Sequence, residues 1–282
     1  MTVLVPFVAV MLIGLIAFAV HRTAPTPADI AWLAGPSLAQ SDGTANSDAA
    51  SVCSRYLVRH RRHRLAGGLF GILFAGIIGV RWFETVSIGI GQGSPLADLL
   101  FCGISGVIVG TLSAESFRLT RAAKTQRAAS LAPRHPPAGR RRIVVSRIAA
   151  LAAIATGAAA ALNDHGNLAL VTSLILVAPL VVAELVMVVI VGRSRPAMTD
   201  RARHLDSRLR TFAGASVSHL HLATTTLMLG WTWSKIDALT GAFAFARYFI
   251  VSCCLVVALV MLHRATPRPS DRLLPTNSAL VA

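Results

Sequence analysis

The stretch LALVTSLILVAPLVVAELVMVVIV, residues 168–191, decides the fold class. It carries one ionisable side chain, Glu184, and one proline, Pro179. It exceeds the roughly 20 apolar residues that an α-helix needs to cross a hydrocarbon core. Further stretches of the same kind lie at Thr2–Val20, Leu65–Phe83, Leu96–Ala114, Ile148–Leu162, Phe212–Trp233 and Leu239–Leu262. The fourth in chain order, Ile148–Leu162, is short enough to begin nearer Ile143. The sixth, Phe212–Trp233, is the least apolar, with His219, His221 and several Ser and Thr. The composition agrees: 54% of the 282 residues are hydrophobic and 14% charged, with a mean hydropathy of +0.64, against roughly 25% charged in soluble domains. The expected fold is therefore an all-α, polytopic transmembrane helical bundle of about seven spans.

Charge sets the expected orientation. Residues 21–64, 115–147, 193–211 and 264–282 hold 6, 9, 6 and 3 Lys+Arg, together 24 of the 27. Basic residues concentrate on the cytoplasmic side of a membrane, so the N-terminus is expected outside and the C-terminus in the cytoplasm. Ala17-Phe18-Ala19 resembles a signal-cleavage site, but no Lys or Arg precedes the apolar run, which favours an uncleaved first span. Trp82, Phe83, Trp231 and Trp233 fall at the expected outer helix ends, where amphipathic rings favour the headgroup level. The layout is then helix 1–20, a disordered and basic loop 21–64, hairpin 65–114, basic loop 115–147, hairpin 148–191, basic loop 192–211, hairpin 212–263 and tail 264–282. Within the first loop, a short interfacial helix fits around Ala28–Leu33. Arg55-Tyr56-Leu57 before Leu65-Ala66-Gly67-Gly68 resembles Arg203-His204-Leu205 before Phe212-Ala213-Gly214-Ala215, the pattern of a parallel repeat.

Two small-residue faces point to close packing. Gly67, Gly71, Ala75 and Gly79 recur every fourth position in the second span, and Cys102, Gly106, Gly110 and Ala114 do so in the third. Helices in lipid associate by such faces because their backbones can approach.

The ionisable groups at membrane depth are the candidate functional residues. Glu184 lies about 12 Å from the cytoplasmic end of its span at 1.5 Å per residue, and His219 and His221 lie at bracketing depths in the next span. Gly214, Ser218, His221, Thr225 and Thr232 share one helical face, which favours His221 as the partner of Glu184. Pro179 removes a donor and frees the carbonyl of Ile175. Arg247 is expected to snorkel to the outer interface, and Glu115 to pair locally with Arg118 or Arg121. Clusters His60–Arg64 and Arg140–Arg142 fix topology and attract anionic lipid headgroups. The bilayer is the expected partner, with another membrane protein or a second copy left open and nucleic acid excluded. Cys53, Cys102, Cys253 and Cys254 have no metal-ligand spacing, and Cys102, Cys253 and Cys254, inside apolar stretches, read as packing residues. No catalytic residue, metal site or cofactor is expected, since the sequence contains no P-loop, HExxH or GxSxG pattern.

The basic run before the second span, the Ala114-Glu115 helix end and the segment Arg127-Ala128-Ala129-Ser130-Leu131-Ala132-Pro133-Arg134 resemble a group of uncharacterised integral membrane proteins of actinobacteria. The resemblance covers about half the chain. It implies a multi-pass protein of a bacterial cytoplasmic membrane and carries no activity. The leading expectation is a non-catalytic scaffold or accessory partner. The alternatives are a transporter or channel subunit working through a Glu/His pair and, behind it, an intramembrane enzyme.

Overall fold

The computed structural model describes residues 24–34, 43–81, 95–116, 139–163, 167–192, 200–236 and 242–266. The first expected span, Trp82, Phe83, Arg118, Arg121 and the Arg127–Arg134 segment lie outside these residues. Every regular element described is helical: α1 Pro27–Ala34, α2 Gly43–Arg81, α3 Pro95–Ser116, α4 Arg140–Leu162, α5 Asn167–Ile175, α6 Val177–Gly192, α7 Asp200–Ser234 and α8 Ala242–Arg264. Four stretches are long and apolar enough to cross a membrane: Asp98–Glu115 in α3, Arg140–Leu162 in α4, Asn167–Val191 across α5 and α6, and Phe245–Arg264 in α8.

The helix α7 is the hub, packed against α1, α3, α4, α5, α6 and α8. Leu220, Ala223, Leu227 and Met228 along it are fully buried, and so are Ser218, Thr224 and Thr225. Its modest hydropathy follows from that position, because a helix enclosed by other helices meets little lipid. Its hydroxyls bond to its own backbone, Thr224 to the carbonyl of Leu220 at 2.9 Å and Thr226 to that of Leu222 at 3.0 Å. The peripheral helices turn large apolar side chains outward instead: Phe70, Leu151, Val188 and Phe249 are all more than half exposed.

Two helices are too long to be spans alone. At 39 and 35 residues, α2 and α7 run about 58 and 52 Å, against a hydrocarbon core of about 30 Å. Their N-terminal halves project past the bundle and pack with α1 into a second core of Leu33, Ala34, Cys53, Tyr56, Leu57 and Leu209. This corrects the expected disorder from residue 43 to 64. The prolines that suggested it end at Pro36, and Cys53, Tyr56, Leu57 and His60 then repeat at helical spacing along one buried face. The short helix expected around Ala28–Leu33 is α1. Thr26 caps it in a reciprocal box, its Oγ1 accepting the Asp29 N–H at 3.2 Å while Asp29 Oδ2 accepts the Thr26 N–H at 2.9 Å, with Pro27 in the first turn.

The α2–α3 seam is the most extensive helix–helix interface, and it is built backbone on backbone. A Cβ placed on Gly67 would lie 2.8 Å from Cα of Gly110, and one on Gly106 would lie 3.0 Å from Cα of Gly71. The surroundings of Gly79 fall outside the described ones. The four-residue repeat does not extend to α7: Gly214, the counterpart of Gly67 in the possible duplication, has nothing within 4 Å of its Cβ position. The helix of the fourth span starts at Arg140, ahead of both Ile148 and the alternative Ile143, directly after Gly139, whose φ of +90° favours glycine and where an added Cβ would run into the Ser218 side chain.

Candidate functional site

Three helices bring a polar group together, running from the bundle's flank to its interior. On α4, Ile143 and Ser146 face α7 and are buried, so Arg147, one position on and about 100° round, lies at the helix edge toward α6. Its guanidinium grips Glu184 as a fork, Nε to Oε1 at 2.7 Å and Nη2 to Oε2 at 2.8 Å. His221 of α7 places Nε2 at 3.0 Å from the same Oε1. Its Nδ1 makes a short hydrogen bond with Ser146 Oγ, which also lies 2.9 Å from the carbonyl of Ile143. Exposure falls steeply across the group, from 60% for the Arg147 side chain to 32% for Glu184 and 4% for His221.

Hydroxyl, imidazole and carboxylate in series is the connectivity of a nucleophile–base–acid triad. Here the serine is fully buried between α4 and α7, and both carboxylate oxygens carry the arginine fork. The arrangement therefore positions charge and moves hydrogen-bond protons; it does not present a nucleophile. A bidentate Arg–carboxylate pair is among the stronger polar contacts a protein makes, and its value rises where water is scarce.

Of the residues singled out in the sequence, Glu184 and His221 are thus in contact. His219 faces elsewhere: its Nδ1 lies 2.8 Å from the carbonyl of Ala215, so that nitrogen carries the proton, and the nearby Arg142 donates to Ser218 Oγ at 3.0 Å. Arg247 donates to the carbonyl of Ile236 at 2.8 Å and lies over the Tyr248 ring, tying the start of α8 to the end of α7. Glu115 is fully buried, accepts a short hydrogen bond from the Tyr56 hydroxyl and has His60 Nε2 at 3.7 Å. These partners are on another helix, α2; the expected local partners Arg118 and Arg121 lie outside the described residues.

No family model, curated protein or solved structure matches the chain. Function has to be argued from the chain's own geometry.

Sequence reasoning missed Arg147, which it assigned to the basic loop 115–147. The signal was there: after Gly139 no proline or glycine interrupts the run until Gly157, so one helix can carry Arg147 seven residues, about 10 Å, inward from Arg140. It also missed the charged pairs at both ends. At the opposite end, Asp98 takes a hydrogen bond from Lys235 Nζ at 3.0 Å and from Trp231 Nε1 at 3.3 Å, with Phe101 stacked on Trp231. At the arginine-rich end, Arg61 bonds Asp29 and the carbonyl of Ala24, both at 2.7 Å, while Arg208 holds the carbonyls of Trp32 and Leu33 at 2.9 and 3.2 Å. Burial pushes the Asp29 carboxyl up, but the Thr26 N–H and the Arg61 guanidinium outweigh it and hold it below its usual range. Burial likewise pushes the Cys53 thiol up, against the pull of Arg208, so it stays a packing thiol. Among the described residues no three His, Cys, Asp or Glu are grouped to hold a metal ion.

Proposed function

We propose that the chain is a seven-span protein of a bacterial cytoplasmic membrane, with its N-terminus outside and its arginine-rich end and C-terminus in the cytoplasm, acting as a non-catalytic scaffold or accessory partner. One observation carries the functional part. Four polar side chains of the bundle are bonded to one another: Arg147, Glu184, His221 and Ser146 share hydrogen bonds across α4, α6 and α7. They serve as glue between helices, as polar groups in lipid commonly do. The projecting halves of α2 and α7, with α1, add a compact platform on which a partner can dock. The topology is supported by the 24-of-27 bias and by Arg140–Arg142, Arg61, Arg64 and Arg208 all lying toward one end. Reporter fusions after Arg64 and Arg210 should both read as cytoplasmic, and a translocated signal from either would overturn it. For the scaffold, Glu184→Gln should fold and retain its partner in mild-detergent purification, because the amide still serves His221.

A second reading has its own observation. The span 167–191 breaks at Leu176 between α5 and α6, three residues before Pro179, and interrupted helices at membrane depth are a habit of transporters. Under that reading the same Glu184→Gln variant folds but loses flux in proteoliposomes, whereas the scaffold shows no Glu184-dependent flux at all.

A further inference from the structure

We infer that His221 is a reversible proton-binding site inside the bundle, and that proton uptake there leaves Glu184 to His221 alone, releasing Arg147 to lipid phosphate. The inference goes beyond the scaffold reading and holds or fails independently of any partner.

The argument starts from hydrogen counting. Ser146 has one hydroxyl hydrogen, yet Oγ sits within hydrogen-bond reach of both the Ile143 carbonyl and His221 Nδ1. One hydrogen cannot serve both. With neutral His221, Nε2–H donates to Glu184 and the Ser146 hydroxyl donates to Nδ1. When a proton from water binds Nδ1, that nitrogen donates to Ser146 Oγ and the hydroxyl turns to Ile143, whose carbonyl is already placed at 2.9 Å. At Nδ1 both protonation states are therefore satisfied by the rotation of one hydroxyl, with Ser146 Oγ and the Ile143 carbonyl left in place. An ordinary buried histidine strands a donor in one of its two states.

The second step is the charge balance around one carboxylate. Arg147 Nε and His221 Nε2 both reach Glu184 Oε1, at 2.7 and 3.0 Å. Glu184 from α6 and Arg147 from α4 are the charged groups that face His221. Among the described residues α3, α5 and α8 bring none to bear on it, and His219 on its own helix turns to Ala215. A neutral histidine leaves the cluster neutral, with one arginine and one carboxylate. A protonated one leaves an excess cation in a poorly hydrated place, which is costly. The side chain able to leave is the exposed one: Arg147 is 60% exposed and His221 4%. Arg147 lies about 10 Å from the helix start, and its long stem can snorkel toward headgroups.

The test uses the full chain in bilayers containing anionic lipid, with 15N-labelled histidine and 13C-labelled arginine, from pH 8 to pH 4. The His221 ring should pass from one N–H to two in a single step, and over the same step the Arg147 guanidinium carbon should gain dipolar coupling to lipid 31P. In Arg147→Gln the rival cation is gone, and His221 should bind its proton about tenfold more tightly; Arg147→Lys should restore the original midpoint to within a few-fold. A His221 ring that keeps one protonation state throughout, measured in the unmodified chain and so independent of how the variants fold, overturns the proposal. So does a ring that titrates while the Arg147–phosphorus coupling stays constant, or a midpoint unchanged in Arg147→Gln.

Discussion

The halves of α2 and α7 obey opposite rules. In the arginine-rich layer their inner faces are apolar, with Cys53, Tyr56, Leu57 and Leu209 against Leu33 of α1, and Ser51 and Arg62 face out. Further along the same helix, α7 turns Ser216, Ser218, His221, Thr224 and Thr225 inward, while α2 carries Phe70, Leu73 and Ile77 on the outside. The crossover comes near Arg64 on α2 and Phe212 on α7. On the proposed seven-span topology, a change of solvent accounts for it. Where water surrounds the protein, apolar surface is driven inward. Where hydrocarbon surrounds it, an outward Leu costs nothing, and the interior is free for small and hydrogen-bonded residues that hold helices together. Hydropathy along a helix therefore reports what the helix touches, which is why the innermost helix of the bundle is one of the least apolar.

The largest expected effect is on the glycine seam. Gly106→Leu puts a side chain where a Cβ alone would lie 3.0 Å from Cα of Gly71. Neither backbone can yield without parting α2 from α3, so a loss of about 3 kcal/mol or more is expected, seen as a collapse of folded yield in detergent. Normal thermal stability of the variant would show that the seam is not what holds the two helices.

The sharpest way to break the comparison is to place the same charge outside both regions. Leu151 is 68% exposed about 16 Å into α4, and Val52 is 40% exposed in the projecting half of α2. Leu151→Asp should cost about 3 kcal/mol in a bilayer, and Val52→Asp less than about 0.5 kcal/mol. Reconstituted protein unfolded in a denaturant series reads both. Equal costs would place the two positions in the same solvent and remove the basis for the crossover.

Much of this organisation is legible in the sequence, and the reasons for the rest are specific. The apolar runs from Leu65 onward, the four-residue repeats through Gly67, Gly71, Gly106 and Gly110 and the short helix near Ala28 are local patterns, and each maps onto an element or a seam among the described residues. Glu184 and His221 were paired by depth and helical face, both of which follow from residue spacing alone. What escaped was tertiary. Arg147 looks like one more loop arginine until a helix start at Arg140 is known, and nothing local tells that Glu115 meets Tyr56, 59 residues away in sequence. Residues 43–64 read as disordered because their polar composition hides a buried face whose partners, α1 and α7, lie far off in the chain.

The smallest expected effect concerns that layer, and it is read by pH. Asp29 sits between the Thr26 N–H and the Arg61 guanidinium, and these hold its carboxyl below the usual value even though burial pushes it up. A carboxyl depressed in the folded state contributes stability that is complete above its unfolded value, near 3.9, and is lost as pH falls through the folded one. Between pH 7 and 5 the docking of α1 should therefore be constant, and below about pH 4 it should weaken. Hydrogen exchange of the α1 amides and the fluorescence of Trp32, whose ring meets Phe212 edge-on at 5.8 Å, should both report the release. The stretch where Gly67 and Gly71 meet Gly106 and Gly110 has no carboxyl in it, so protection there should hold through the same range. Asp29→Asn should abolish the pH dependence of α1 while leaving it partly loosened at pH 7, since the amide keeps the Thr26 bond and loses the charge opposite Arg61. An α1 that exchanges identically at pH 7 and pH 3 in the unmodified chain would mean that the apolar contacts of Trp32 and Leu33, and the Arg208 bonds to their carbonyls, hold the helix without help from Asp29.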